Sequence, residues 1–193
     1  MRRKLGNQES ERQEVQARPS SIVKRRQEPL RARYQTAAHD ARILDSARSL
    51  DSCAKDPFHG VVMIGGEQSG PWKFGIHRAV GGYHDLPNPG DLLCAALASC
   101  LDATVRMIAD RLDIRLDHLE VSVEASADAR GTLLLDRSVP VGFQAMDCKV
   151  SLQATNGEAA KIERLIRAAE QSCIVLQTLR GGISPQLYIS AKE

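Results

Sequence analysis

The sequence predicts an α+β fold with an antiparallel sheet. Segments with strand-like alternation and segments with helical periodicity occur in blocks, without the regular strand–helix–strand order that produces a parallel sheet. Breaks rich in Gly and Pro separate these blocks. The chain has 193 residues, of which 42 % are hydrophobic and 26 % are charged, so it can form one domain with a substantial core.

The N-terminal part of the chain is basic. Residues 1–33 contain ten Lys or Arg and four Glu, whereas the remainder contains 16 basic and 20 acidic residues. This composition, poor in large apolar side chains, predicts a mostly disordered segment, and residues 30–50 are compatible with a helix. We therefore expect a basic, largely disordered or helical extension over 1–50 and a folded domain over 51–193. Because Glu residues interrupt the charge and no aromatic side chains alternate with it, a solvated tail is favoured over contact with nucleic acid.

The first elements of the folded domain are two predicted strands. Residues 58–64 and 72–80 alternate and are joined by a glycine-rich turn over 65–70, which is typical of a hairpin. The second of these segments carries Arg78, the only Arg between Asp51 and Cys100.

The next elements begin after the Gly81-Gly82 and Pro87-Asn88-Pro89 breaks. A long helix is predicted over 91–112, starting near an Asn88 cap. The remaining predictions follow in chain order: strands over 118–125 and 145–154, an amphipathic helix over 157–172, and a short strand over 186–190.

The five cysteines form an odd set without any C-x-x-C pair: Cys53, Cys94, Cys100, Cys148 and Cys173. This pattern predicts free thiols in a reducing cytoplasm rather than a disulfide scaffold or a zinc site. Cys100 lies mid-helix on an inward sector, about 120° around the helix from Cys94, and Cys173 ends the apolar stripe of the second long helix. One packing contact could join Cys100 and Cys173, although a buried helical cysteine is more often an inert small hydrophobe.

The first long helix has a second apolar sector, so most of its circumference is apolar. The members of that sector are Cys94, Leu101, Val105, Ile108 and Leu112. A helix of this kind is expected at the centre of a structure, packed on the sheet and on something else.

Two segments resemble the signature of the OsmC/Ohr family, whose members reduce organic hydroperoxides. The first is Gly81-Gly82 followed by NPGDLLCAALASC, which ends at Cys100, and the second is AAEQSC, which ends at Cys173. The separation of about 70 residues between the two cysteines also agrees with the family. The resemblance covers residues 58–189 and identifies 51–193 as an OsmC-like domain.

The resemblance implies an intertwined homodimer in which antiparallel sheets surround two central helices and each active site lies at the interface. It implies that Cys100 is the peroxidatic residue and Cys173 the resolving residue, that the substrate is a lipid or alkyl hydroperoxide, and that a dithiol reductant reopens the disulfide. No metal, flavin or haem is required. The side chains expected to form an apolar substrate pocket are Leu93, Leu97, Met107 and Ile174.

Three features depart from the family pattern, and one of them is the activating Arg of the early strands, for which Arg78 is the only candidate between Asp51 and Cys100. The usual carboxylate after Asn-Pro is replaced by Gly90, with Asp91 one residue later, and the proline that follows the second cysteine is replaced by Ile174. Arg78 and Asp91 are then the candidates for stabilising a Cys100 thiolate. One alternative is a redox-silent OsmC-like dimer that binds a hydrophobic small molecule, and a second is an adaptor that uses the basic tail.

The sequence also predicts a cytoplasmic protein without a membrane partner. No uninterrupted apolar run reaches the roughly 18 residues of a membrane span, and the basic first residues lead into polar sequence rather than the apolar core of a signal peptide.

Overall fold

The computed structural model describes residues 21–50, 55–65 and 70–190. The predictions for Cys53 and for residues 1–20 lie outside the described residues. The helices are α1 (Ile22–Thr36), α2 (Pro89–Arg111), α3 (Ala129–Thr132), α4 (Ala159–Ser172) and α5 (Ile174–Gly181). The strands are β1 (Ala47–Leu50), β2 (His59–Ile64), β3 (Pro71–Gly75), β4 (Leu116–Ser126) and β5 (Ala145–Ala154). Single 3-10 turns are formed by Ala38–Ala41 and Arg78–Val80.

The strands form two antiparallel sheets, so the predicted α+β class is confirmed. One sheet has the order β1-β2-β3, and the other is the long pair β4-β5. In the second sheet Leu119 lies opposite Leu152 and Val121 opposite Val150, so the apolar positions of both strands share one face. That face packs against α2, and α4 packs against another side of α2.

The core of the described chain lies between α2, α4 and the β4-β5 sheet. Its buried apolar side chains are Leu97, Leu101, Val105, Ala109, Ile114, Leu165, Ala169 and Cys173. The β1-β2-β3 sheet contributes none of them: every residue of β2 is half-buried, and within the three strands only Gly75 is fully buried. The core that supports the cysteines is therefore built from residues 97–173.

The start of α2 follows the prediction closely. The Oδ1 atom of Asn88 accepts hydrogen bonds from the backbone N–H groups of Gly90 (2.8 Å) and Asp91 (3.3 Å). In return, the Asp91 carboxylate accepts from the backbone N–H of Asn88 at 2.8 Å. This reciprocal capping box, with Pro89 in the first turn, satisfies N–H groups that have no partner inside the helix.

The predicted strand over 72–80 is too long. β3 ends at Gly75, whose N–H donates to the carbonyl of Pro87 at 3.0 Å. His77 then caps a 3-10 turn, because its Nδ1 accepts from the N–H of Ala79 at 3.0 Å. The chain therefore reverses after β3, and Arg78 lies in a turn rather than in a strand.

The helix predicted within 30–50 is displaced towards the N-terminus, because α1 spans Ile22–Thr36 and β1 occupies Ala47–Leu50. In the part of the chain that was expected to be largely disordered or helical, the described residues from Ile22 to Thr36 are helical. The Asp110 carboxylate accepts hydrogen bonds from the Ser21 hydroxyl and from the N–H of Val23 (2.9 Å). The capping carboxylate lies near the C-terminal end of α2. The composition of the N-terminal segment therefore could not predict this cap.

The last predicted strand is not formed. Residues 186–190 form no strand, and Leu187, Tyr188 and Ile189 are more than four-fifths exposed. A segment with strand-like alternation stays extended but irregular when no neighbouring strand supplies hydrogen bonds. Within the described residues, α2 has the length and mean hydropathy of a membrane span, and its buried residues belong to the core.

Candidate functional site

Cys100 lies in the middle of α2, at the edge of the core. The residue is half-buried, and its sulfur-bearing side chain packs against the buried cluster. One turn later the hydroxyl of Thr104 donates to the carbonyl of Cys100 at 2.7 Å, which satisfies the one buried polar side chain of this region. The cysteine is thus carried by the most firmly packed helix of the molecule.

Cys173 lies at the corner between α4 and α5 and is completely buried. Its N–H donates to the carbonyl of Ala169, and its carbonyl accepts from the N–H of Gln177, each at 3.0 Å. Side-chain contacts also fix this corner, because Gln177 donates to the carbonyl of Glu170 (2.8 Å) and Arg180 pairs with the Glu170 carboxylate (2.8 Å). The prediction that Cys173 ends the apolar stripe of α4 is confirmed.

The structure brings the thiols of Cys100 and Cys173 together. Burial raises the pKa of the Cys173 thiol, and the hydrogen bond and charge of Cys100 raise it further. The backbone N–H groups of Leu176 and Val175, in the first turn of α5, act in the opposite direction. Both cysteines are free thiols, so Cys173 is held in its neutral form beside Cys100.

The structure does not bring Arg78 and Asp91 together within one chain. The Asp91 carboxylate is engaged by Asn88, accepting from its backbone N–H (2.8 Å) and from its side-chain Nδ2 (2.6 Å). Arg78 is exposed in its turn, and among the described residues no ion pair joins it to a carboxylate. Its activating role stays a prediction.

The expected apolar substrate pocket is not formed within one chain. Leu97 is part of the core at 1 % exposure, whereas Ile174 is 64 % exposed and Met107 is 41 % exposed. Among the described residues, the opening that Ile174 lines beside Cys173 is not lined by Leu93, Leu97 or Met107.

A cavity of about 690 Å³ lies on another side of α2, between the loop after β3, the first turn of α2 and the end of β4. Polar and titratable groups line much of it: His77, His84, Asn88, Asp91, Cys94, Glu124, Ser126 and Thr132. The rings of His77 and His84 meet edge to face, with centroids 4.5 Å apart. Burial raises the pKa of the Cys94 thiol, and the Asp91 charge adds to the rise.

The two cysteines of α2 have different surroundings, as expected from the predicted angle of about 120° between them around the helix. Cys94 faces the cavity, and Cys100 contacts the core beside Cys173. The sequence gives no signal for the cavity itself, because Phe143, from the long connection between β4 and β5, folds back to close one wall.

Comparison with protein families finds a match between residues 82–187 and the family model described as OsmC-like protein. No curated protein matches the chain.

Solved structures share the fold at low sequence identity. An OsmC-like protein from Mycoplasma pneumoniae is 15 % identical with a TM-score of 0.57, and the match covers 72 % of this chain and 89 % of that one. An organic hydroperoxide resistance protein from Elizabethkingia anophelis is 17 % identical with a TM-score of 0.53, covering 73 % and 91 %. An OsmC-like protein of unknown function from Vibrio cholerae is 13 % identical with a TM-score of 0.53, covering 71 % and 94 %.

Proposed function

The chain belongs to the OsmC-like family, and on that premise we propose that it reduces organic hydroperoxides with Cys100 as the peroxidatic residue and Cys173 as the resolving residue. The observation that supports the proposal is that Cys100 on α2 packs against the buried cluster that contains Cys173, and that the two thiols are close enough to interact. An inert packing cysteine needs no second thiol beside it.

The proposed reaction uses only thiols and a hydroperoxide. The Cys100 thiolate attacks the distal oxygen of the peroxide, the O–O bond breaks, and the alkoxide takes up a proton and leaves as an alcohol. Cys100 is then a sulfenic acid. The Cys173 thiol condenses with it, so that an S–S bond forms and water leaves, and a dithiol reductant reduces this disulfide while becoming a disulfide itself.

The surroundings of the two sulfurs support this division of roles. Cys173 is fully buried, and burial favours its neutral thiol, whereas Cys100 is only half-buried and accessible to a substrate. The neutral partner cannot compete for peroxide, but it stands where a sulfenic acid on Cys100 would form.

We further propose that a second copy of the chain completes the site. The face of α2 that turns away from β4 and α4 carries small exposed side chains: Ala95, Ala96, Ser99 and Ala103. Small residues allow close helix packing, and this uncovered face lies next to Cys100 on the helix. A dimer along α2 would cover that face and could present Arg78 of one copy to Cys100 of the other, with Asp91 near the same region.

The remaining parts of the proposal follow from the same thiol chemistry. Free cysteines suit a reducing cytoplasm, where a dithiol reductant is available to turn the cycle over. The division into an extension over 1–50 and an OsmC-like domain over 51–193 stays a prediction, and β1, which lies inside the extension, pairs with β2.

Removal of single thiols tests the proposal. We expect Cys100→Ser to lower the rate of dithiol-dependent consumption of an alkyl hydroperoxide by a factor on the order of 100 or more, because the nucleophile is lost. Cys173→Ser should still react once and accumulate a sulfenic acid that a dimedone probe traps. Cys94→Ser is the matched control on the same helix and should retain most activity, because Cys94 faces the separate cavity. Equal losses in Cys94→Ser and Cys100→Ser would contradict the assignment.

The redox-silent alternative is favoured by one observation: in the single chain, Asp91 is occupied by Asn88 and forms no ion pair with Arg78. Alkylation of Cys100 as a function of pH separates the alternatives. If Arg78 activates the thiol, Arg78→Met shifts the alkylation profile to higher pH. Overlapping profiles, together with no peroxide consumption by the wild type, would support a dimer that binds a hydrophobic molecule without redox chemistry.

A further inference from the structure

A histidine with both ring nitrogens on carboxylates lies away from the cysteines, at the start of β2. His59 Nδ1 is 2.8 Å from Asp56 Oδ2, and His59 Nε2 is 3.1 Å from each carboxylate oxygen of Asp85. A carboxylate can only accept, and an imidazole donates from both nitrogens only when it is protonated. The geometry therefore fits an imidazolium between two carboxylates, with no nitrogen left for acid–base catalysis.

Asp56 and His59 are close in sequence, whereas Asp85 lies 26 positions after His59. Asp56 precedes β2, His59 lies opposite Gly75 at the end of β3, and Asp85 lies in the connection that leads to α2. The same connection is closed at its base by the hydrogen bond from the N–H of Gly75 to the carbonyl of Pro87. His59 thus joins the β1-β2-β3 sheet to the segment that introduces the cysteine-bearing helix.

Aromatic contacts complete the cluster. The ring of Tyr83 stacks on His59 at 5.8 Å between centroids and meets Phe58 edge to face at 5.2 Å. Four charged or titratable groups surround His59: Asp56 from the segment before β2, Lys73 from β3, and Tyr83 and Asp85 from the connection. Lys73 and His59 line one small groove. Two anions against one neighbouring cation favour a charged imidazole.

We propose that Asp56, His59 and Asp85 form a proton-dependent clasp that holds the 76–87 connection against the β1-β2-β3 sheet, closed while His59 is protonated and open once that proton is lost. The proposal of the clasp does not rest on the proposed hydroperoxide chemistry. The clasp holds the segment that carries His77, Arg78 and His84. It therefore controls the position of that segment relative to the sheet.

The pH range follows from the charges. Hydrogen bonds to Asp56 and then to Asp85 raise the pKa of His59 above its ordinary 6.5. The backbone N–H of Phe58 and then the His59 ring lower the pKa of Asp56 below 3.8, and the hydrogen bond with His59 lowers the pKa of Asp85 below the same value. A raised histidine pKa gives stabilisation that is complete below the unfolded value and is lost as pH rises through the folded value. The clasp is therefore closed in mildly acidic solution and opens towards alkaline pH.

Hydrogen exchange of the full-length protein tests the clasp. At pH 6 we expect Asp85→Asn to lower the protection factors of amides in 76–87 about tenfold relative to wild type, because one charged partner is lost. At pH 9 the wild type and Asp85→Asn should show equal protection, because the wild-type clasp is open. His59→Gln should behave like Asp85→Asn at both pH values, and Asp85→Asn alone decides the question if His59→Gln does not fold.

The matched control is His39→Gln. His39 also lies beside a carboxylate, with Nε2 3.0 Å from Asp40 Oδ1, but it is highly exposed and lies in the turn after α1. We expect this variant to leave protection in 76–87 unchanged at both pH values. The proposal is overturned if wild-type protection factors are the same at pH 6 and pH 9, or if His39→Gln lowers them as much as Asp85→Asn does.

Discussion

The two sheets of this protein differ in what covers them. The β4-β5 sheet presents its apolar face to α2, and together with α4 they enclose a core in which Leu165 and Val105 have no exposure. The β1-β2-β3 sheet has no helix packed along it in the described chain, and its Trp72 is 47 % exposed. The apolar face of one sheet is covered within the single chain, whereas the other sheet leaves apolar surface exposed.

The core elements that position Cys100 and Cys173 are therefore different from the elements that could complete the surroundings of the two thiols. Cys100 and Cys173 are positioned by the core that α2, α4 and the β4-β5 sheet form within one chain, so their proximity does not depend on a partner. Arg78 follows the uncovered sheet, and its position relative to Cys100 depends on how that sheet is covered. The arrangement of the two thiols is therefore set within one chain, whereas the proposed activation by Arg78 would require a second copy.

The largest expected effect comes from the closed core. Leu165→Ala should lower the free energy of unfolding by about 3 kcal/mol, because it removes a fully buried side chain and leaves a cavity. The matched variant Leu135→Ala, at a position that is 73 % exposed, should change it by at most about 0.5 kcal/mol. Chemical denaturation measures both values. Equal losses would show that the β4–β5 connection is as deeply buried in solution as α4.

The second prediction concerns the open sheet and uses the single tryptophan of the chain, Trp72 on β3. If a second copy covers the sheet, raising the protein concentration from nanomolar to micromolar should shift the Trp72 emission to shorter wavelength and reduce quenching by iodide, because the indole leaves water. Sedimentation over the same range supplies the control for mass. A change in mass without a change in emission would place the contact elsewhere, on α2 alone.

The smallest effect is expected where α1 joins the body. Asp110→Asn should destabilise the protein by about 1 kcal/mol and speed hydrogen exchange in α1, because the carboxylate accepts from Ser21 and Val23. Asp102→Asn, on the exposed side of the same helix, is the control and should leave α1 unchanged.

The pH dependence of that cap has a defined sign. The hydrogen bond from Ser21 is the main cause that lowers the pKa of Asp110 below 3.8. Its stabilisation is therefore complete above the unfolded-state value and is lost as the pH falls through the folded one. Protection factors of the α1 amides that stay constant as the pH falls from neutral to well below 3.8 would contradict this role.

The sequence predicts the elements whose signals are local. The Asn88 cap and the apolar periodicity locate α2, and strict alternation locates β4 and β5 to within two residues. The failures have distant causes: Asp110 caps α1 from almost 90 residues away, and Pro87 ends β3 by accepting from Gly75. Residues 186–190 carry strand-like alternation without a strand beside them.

The same distinction applies to the site. The phases of Cys100 and Cys173 on their helices, with the family resemblance, predict which two thiols meet, because helical phase is set by the local period. The surroundings of Arg78 depend on the residue at which β3 ends. The alternation of apolar and polar residues over 72–80 does not predict that residue. The clasp at His59 joins two residues that are 26 positions apart, His59 and Asp85. The conformation of the loop between them brings them together, and a periodic sequence pattern cannot predict that contact.

The two sheets also have consequences for synthesis on the ribosome. Strand pairings in β1-β2-β3 join residues at most 17 positions apart, as in Ala47 with Ile64, so this sheet can form as soon as Gly75 has emerged. The packing of α4 on α2 waits for about a hundred more residues, roughly 5 to 20 s of translation. During that interval β3 is an exposed edge, and its Pro71 and Lys73 are residue types that discourage pairing with other chains.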